Sequence, residues 1–136
     1  EEKEACHHIA EEISTVSRFY NEEKIGRNKT KAMYREWVDN ALNGTFCDGL
    51  FLIRDDNEIV GIHLIKTDNP GKVGNCSMIG VSHAFRNKHI GENLWEQAYG
   101  YWANECDVEM CRVPFSFQNE ASFNFHLKMF SDDLLN

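Results

Sequence analysis

Apolar positions recur along the chain in more than one rhythm, and each rhythm predicts its own element. Ile9, Ile13, Val16 and Tyr20 fall four, three and four residues apart, which is one face of a helix. Asn21 to Thr30 is polar, contains Gly26 and reads as a loop. From Lys31 to Leu42 the helical rhythm returns, with Met33, Trp37, Asn40 and Ala41 on one face and Tyr34, Val38 and Leu42 beside it. Asn43-Gly44 supplies the stop, because glycine tolerates the left-handed turn that ends a helix.

The middle of the chain changes period. Gly49 to Arg54 and Ile59 to Lys66 read as two strands joined by the polar Asp55-Asp56-Asn57-Glu58, an antiparallel hairpin with its reverse turn at Asp56-Asn57. Asp68-Asn69-Pro70-Gly71 is turn chemistry again. Cys76 to Ser82 reads as a third strand, and Arg86 to Gly91 leads into a helix from Gly91 to Cys106 that carries Leu94, Trp95, Ala98, Tyr101 and Trp102. A fourth strand is expected at about Glu109 to Ser116, and a last helix from Asn119 or Glu120 to about Phe130. The order is helix, helix, three strands, helix, strand, helix. It predicts an α/β fold with a mixed sheet, in which Cys76 to Ser116 forms a right-handed parallel crossover.

Composition narrows the functional classes. The 136 residues hold 14 Lys and Arg against 22 Asp and Glu, a formal charge of −8. Such a balance is the wrong sign for non-specific nucleic-acid binding, so no nucleic-acid partner is expected. The longest purely aliphatic or aromatic run is Leu50-Phe51-Leu52-Ile53. That is far short of the roughly 18 residues of a membrane span, so no membrane partner is expected either. The acidic opening Glu1-Glu2-Lys3-Glu4 is unlike a secretion signal. The five cysteines include no C-x-x-C pair. Reduced thiols and a cytoplasmic location follow as expectations. Cys6-His7-His8 lacks a second ligand pair at matching spacing, so no metal is expected.

The chemically informative segment is Ile79-Gly80-Val81-Ser82-His83-Ala84-Phe85-Arg86-Asn87-Lys88-His89-Ile90-Gly91, where a strand passes through a cationic loop into a helix. The first turn of a helix offers free N–H groups and a partial positive charge, a setting that holds a pyrophosphate. On physics alone the segment fits a phosphate site and an ordinary strand-to-helix connection equally well.

These residues resemble the acetyl-CoA motif of the GNAT N-acetyltransferase superfamily, Q/R-x-x-G-x-G/A after an apolar strand. Arg86, Ile90 and Gly91 match, and His89 stands where the first glycine is usual. Asn119-Glu120-Ala121-Ser122 followed by Phe125-His126-Leu127-Lys128 resembles the second cofactor segment, with His126 in the place of its usual tyrosine. No Gly precedes Phe130, where the superfamily usually has Gly-Phe. Ser17-Arg18-Phe19 and Met33-Tyr34-Arg35-Glu36-Trp37-Val38-Asp39-Asn40-Ala41-Leu42-Asn43-Gly44-Thr45-Phe46 are similar to the dTDP-fucosamine (dTDP-4-amino-4,6-dideoxygalactose) acetyltransferase subfamily.

The resemblance implies one acyl-CoA N-acyltransferase domain over residues 1–136, with 1–46 on the acceptor side and 49–130 as the acetyl-CoA-binding core. Acetyl would pass from acetyl-CoA, the co-substrate, directly to a primary amine. The backbone of Ile79, Gly80 and Val81 would pair with pantetheine, and one N–H there would polarise the thioester carbonyl. Arg86, Asn87, Lys88, His89, Ile90 and Gly91 would hold the pyrophosphate. Asn119 and Ser122 would meet the cofactor from the last helix, and His126 is the candidate acid for the leaving thiolate. Arg18, with Phe19, would meet the phosphates of a nucleotide-linked amino sugar.

Competing readings are a GNAT enzyme for a peptide or small-molecule amine, and a non-catalytic acyl-CoA-binding module. His63 reads as a sheet-face residue or one facing the acceptor, and His83 as structural. The superfamily continues beyond the last helix with further strands, whereas only Ser131-Asp132-Asp133-Leu134-Leu135-Asn136 follow here. The chain is therefore expected to lack those strands, leaving an edge beside Glu109 to Ser116. A further segment or a partner chain would cover that edge, and a homodimer stays open.

Overall fold

Asp56 and Asn57, the two residues of the predicted reverse turn, both take left-handed backbone angles (φ 47° and 69°). Those are the angles of the tight turn whose twist matches two antiparallel strands. The computed structural model describes residues 2–45, 47–68, 70, 72–114 and 119–135. Two helices open the chain, α1 (Glu2–Ser14) and α2 (Arg27–Leu42). Strands β1 (Gly49–Asp55), β2 (Glu58–Asp68) and β3 (Val73–Val81) follow, then a 3-10 turn at His83–Phe85. Helix α3 (Ile90–Glu105), strand β4 (Met110–Arg112) and helix α4 (Glu120–Leu135) complete the order that the hydrophobic pattern predicts.

The sheet order is β1-β2-β3-β4. The first two pairings are antiparallel and β3–β4 is parallel, so α3 is a crossover helix. β2 is buried on both faces and divides the core. Ile62 and Leu64 pack with Cys6, Ile9 and Ala10 of α1 and Val38 and Ala41 of α2. On the other face Ile65 meets Trp95, Ala98 and Trp102 of α3, while Val60 meets Ile90 and Leu94. Each such fully buried aliphatic side chain contributes about 1.5–3 kcal/mol. Gly80 lets α1 approach β3, because a Cβ there would collide with Ile13.

Several boundaries differ from the sequence expectation. α1 ends at Ser14, so Val16 and Tyr20 continue its stripe only through turns. α2 starts at Arg27, four residues before the expected Lys31. Thr30 is fully buried there, its hydroxyl donating to the carbonyls of Gly26 and Phe19 at 2.9 and 3.0 Å. β3 begins at Val73 rather than Cys76.

The fourth strand is only Met110–Arg112; Val113 and Pro114 lie outside it, and the expected end at Ser116 falls outside the described residues. Phe46, Asn69 and Gly71 of the quoted motifs also lie outside them. α4 runs on to Leu135, so Ser131 to Leu135 are helical rather than a tail. With no glycine before Phe130, nothing in the local sequence stops the helix there. Among the described residues, no strand flanks the outer side of β4, and no helix is long and apolar enough to cross a membrane.

Candidate active site

Among the described residues β3 is paired along its length on the β2 side and only at its start on the β4 side. β4 pairs only with Val73, Gly74 and Asn75, whereas β2 pairs with β3 as far as Val81. Among the described residues nothing in the sheet pairs with Cys76 to Val81 on the β4 side. Ser82 N–H donates to the Val60 carbonyl at 2.8 Å, which fixes the phase of the antiparallel ladder. By alternation Gly80 and Met78 bond β2, while Ile79 and Val81 turn N–H and C=O into the gap. Gly80, expected at the cofactor, is thus committed to β2 through its backbone and to α1 through its Cα.

A cleft of ≈ 400 Å³ lies along this gap. The α1–α2 connection lines it with Val16, Ser17, Arg18 and Phe19, and α2 with Tyr34 and Trp37. Cys76 to Ile79 come from β3, Val113 and Pro114 from the segment after β4, and Asn119 and Ser122 from the start of α4. The fold thus brings Ile79, Asn119, Ser122, Arg18 and Phe19 to one cleft.

The Arg18 guanidinium lies 4.7 Å from the centre of the Phe19 ring. Tyr34 and Trp37, absent from the expected site residues, form a tilted ring pair at 4.7 Å; their i, i+3 spacing on one helix was the available signal. Arg18 is the one Lys, Arg, Asp or Glu among the described lining residues. Residues 115–118, outside the described residues, read Phe-Ser-Phe-Gln and carry no charge. Burial pushes the Cys76 thiol up to about 12, so it stays protonated at neutral pH.

At the far end of β3 the chain enters α3. Asn87 and His89 both take left-handed angles, φ 63° and 61°. His89 thus adopts at the N-cap a conformation that glycine would adopt more easily, with its ring outside, 3.2 Å from Glu92. Asn93 N–H bonds the His89 carbonyl at 3.1 Å, so the N–H groups of Ile90, Gly91 and Glu92 precede the helical ladder. The helix dipole adds positive character to them. Arg86 and Lys88 are exposed beside them, Lys88 5.0 Å from the Phe85 ring centre. A Cβ on Gly91 would lie 2.9 Å from the Phe125 ring, so this glycine admits α4 against α3. Arg86 to Gly91 and Val81 do not line the ≈ 400 Å³ cleft; they continue the same open strand into the helix.

Asn119 caps α4, its Oδ1 accepting from Ser122 N–H at 3.1 Å. His126, the expected acid, is buried and does not line the cleft. The Trp95 indole N–H donates to its Nε2 at 3.1 Å, and Nδ1 lies 2.7 Å from the Ser122 carbonyl. Indole only donates and a carbonyl only accepts, so the ring is neutral with its proton on Nδ1. Burial also holds its pKa below the usual value. This corrects the acid assignment: the ring has no proton to offer the cleft.

The other histidines are structural in their contacts. His63 is fully buried, its Nδ1 3.3 Å from the Leu94 carbonyl, and burial lowers it to about 4. His83 N–H donates to Glu12 at 3.0 Å. Cys6 lies in the core, His7 bonds Asp39 and His8 pairs with Glu12. Among the described residues no group of three or more His, Cys, Asp or Glu could hold a metal ion.

The sequence profile of the acetyltransferase (GNAT) family matches residues 11–130. No curated protein matches the sequence. The PaiA N-acetyltransferase of Thermoplasma acidophilum, solved with coenzyme A, superposes on 93% of this chain and 81% of its own, with TM-score 0.67 and 17% identity. The ribosomal-protein-alanine N-acetyltransferase of Brucella melitensis biovar Abortus 2308 covers 94% and 84%, with TM-score 0.66 and 12% identity. A Bacillus anthracis str. Ames protein assigned as a streptothricin acetyltransferase, solved with acetyl coenzyme A, covers 58% of this chain, with TM-score 0.54 and 23% identity. That alignment spans less than half (44%) of the Bacillus anthracis chain. At these identities the likeness is one of fold.

Proposed function

The chain belongs to the acetyltransferase (GNAT) family, and from that premise we propose that it moves acetyl from acetyl-CoA directly to a primary amine held in the β3 cleft. The observation that carries this reading is a backbone edge, Ile79 to Val81, that is open among the described residues and leads through the His83–Phe85 turn to the N-terminus of α3. Pantetheine takes that edge as an added strand, and one of its N–H groups polarises the thioester carbonyl. The first turn of α3 with Arg86 and Lys88 holds the pyrophosphate. Residues 49–130 are then the cofactor core and 1–46 the acceptor side.

Among the described lining residues none is suited to act as a general base at neutral pH, so the amine enters as its neutral fraction. Attack on the thioester carbonyl forms the amide bond as the C–S bond breaks. CoA leaves as thiolate, and the proton lost by the amine passes to it through solvent. Holding both reactants in one cleft removes most of the orientational cost.

For the acceptor, a nucleotide-linked amino sugar is the finer reading. Arg18 suits phosphate, and Phe19, Tyr34 and Trp37 offer ring faces to a base or sugar. Among the described residues the lining holds no carboxylate, a poor match for a polycationic amine. Thiol release from acetyl-CoA, measured against a dTDP-amino sugar, an aminoglycoside and peptides, tests both levels. Arg18→Ala is expected to raise KM for the sugar nucleotide about tenfold or more. Preference for the aminoglycoside would overturn the finer reading. Acetyl-CoA binding without turnover of any amine would instead favour a non-catalytic acyl-CoA-binding module, the reading to which the neutral His126 lends weight. Acetyl-CoA and the reduced cysteines fit a cytoplasmic enzyme.

A further inference from the structure

Ser122 shares its helix turn with His126, and the hydrogen bonds between them fix which way the serine hydroxyl can donate. Trp95 Nε1–H lies 3.1 Å from His126 Nε2 and must be the donor. The proton of the neutral ring is therefore on Nδ1, which faces the Ser122 carbonyl at 2.7 Å and the Ser122 Oγ at 3.2 Å. A ring nitrogen that carries a proton cannot accept one, so Ser122 Oγ serves His126 as an acceptor only. Ser122 N–H is already spent on Asn119 Oδ1. Among the described residues no other acceptor meets the hydroxyl proton, and Ser122 lines the cleft together with Cys76 to Ile79.

Burial lowers the pKa of His126, which favours this polarity. Among the described residues Trp95, Ser122 and Phe125 touch the ring, and His63, itself neutral near pH 7, faces it electrostatically. Resting on the acetyltransferase reading, we infer that Ser122 donates a hydrogen bond to the CoA sulfur as negative charge develops on it. In this arrangement His126 and Trp95 are positioning residues that hold the serine oxygen in the donating orientation. No proton is transferred by the serine; the S···H–O bond forms as the C–S bond breaks, and solvent later protonates the thiolate.

The experiment pairs Ser122→Ala with Ser122→Thr and His126→Asn with His126→Gln. Ser122→Ala is expected to lower kcat about tenfold to a hundredfold, as for a hydrogen bond to a charged group, with KM for acetyl-CoA changed less than about threefold. Ser122→Thr, which keeps the hydroxyl, is expected to recover most of the kcat that Ser122→Ala loses. His126→Asn, whose amide N–H can replace Nδ1–H, keeps most of the rate, and His126→Gln does not.

Two readouts do not need turnover. Nitrogen NMR of the wild-type histidines is expected to show His126 protonated on Nδ1 alone. The thiol of bound CoA, followed by thiolate absorbance, is expected to titrate about one unit higher in Ser122→Ala. An unchanged kcat or thiol titration in Ser122→Ala, loss of CoA binding by that variant, or a proton on Nε2 of His126 overturns the inference. A wild type that binds CoA and acetylates no amine overturns the acetyltransferase reading instead, while the NMR and thiol titration still decide the role of Ser122.

Discussion

His7 of α1 and Asp39 of α2 meet at 2.6 Å, imidazole Nε2 to carboxylate, with Lys3 Nζ 3.3 Å from the same oxygen. The His7 hydrogen bond, aided by Lys3, holds the Asp39 carboxyl below its usual range. A carboxyl lowered in the folded state stabilises the fold above its unfolded pKa, about 3.9, and that contribution is lost as pH falls through the lower folded value. Thermal melts from pH 7 to pH 2 are expected to show Asp39→Asn less stable at pH 7. The variant is also expected to lack this part of the acid-induced loss.

His63 also costs stability as pH falls, for the opposite reason: burial disfavours its charged form. Burial lowers its pKa to about 4, so the unfolded chain takes up the proton first as pH falls from about 6.5. The fold is expected to lose up to about 3 kcal/mol between those two pH values. Among the described residues its buried Nε2 also lacks a hydrogen-bond partner. His63→Phe should flatten that pH window and raise stability at pH 5, as read from urea midpoints at several pH values.

His89 carries a side chain where its backbone favours none. His89→Gly is expected to gain about 0.5 kcal/mol, the left-handed penalty less the extra freedom of the unfolded chain. It is also expected to lower KM for acetyl-CoA, since removing Cβ lets a phosphate approach the peptide more closely. Denaturant melts and initial rates check the two halves separately.

At Gly91 the outcome reverses. A methyl group there meets the Phe125 ring at 2.9 Å, so Gly91→Ala is expected to cost about 1–3 kcal/mol. Gly91→Ala with Phe125→Leu should recover part of it. Additive losses in the double variant would show that the two positions do not share this contact.

What the chain discloses without coordinates depends on how local each cause is. Asn43-Gly44 and Asp56-Asn57 are visible because turn geometry is set by the residues that make it. The strand-to-helix junction is visible for the same reason. Thr30 is invisible as a buried residue, since its hydroxyl is satisfied by Phe19, 11 positions away. His126 is read as an acid from its place in a motif, yet its protonation is decided by Trp95, 31 positions away. Tyr34 and Trp37 show their helical spacing but not the cleft they face, because the opposite wall comes from β3 and α4.

The half-paired third strand also bears on how long the protein survives. Exposed strand edges are templates on which other chains polymerise. With pantetheine laid along Ile79 to Val81 as proposed, that template is covered only while the site is filled. A ligand at a hundred times its Kd raises the apparent stability of the folded state by about 2.7 kcal/mol. The empty enzyme is then the species that aggregates and is cleared, and its abundance follows the supply of its own acyl donor.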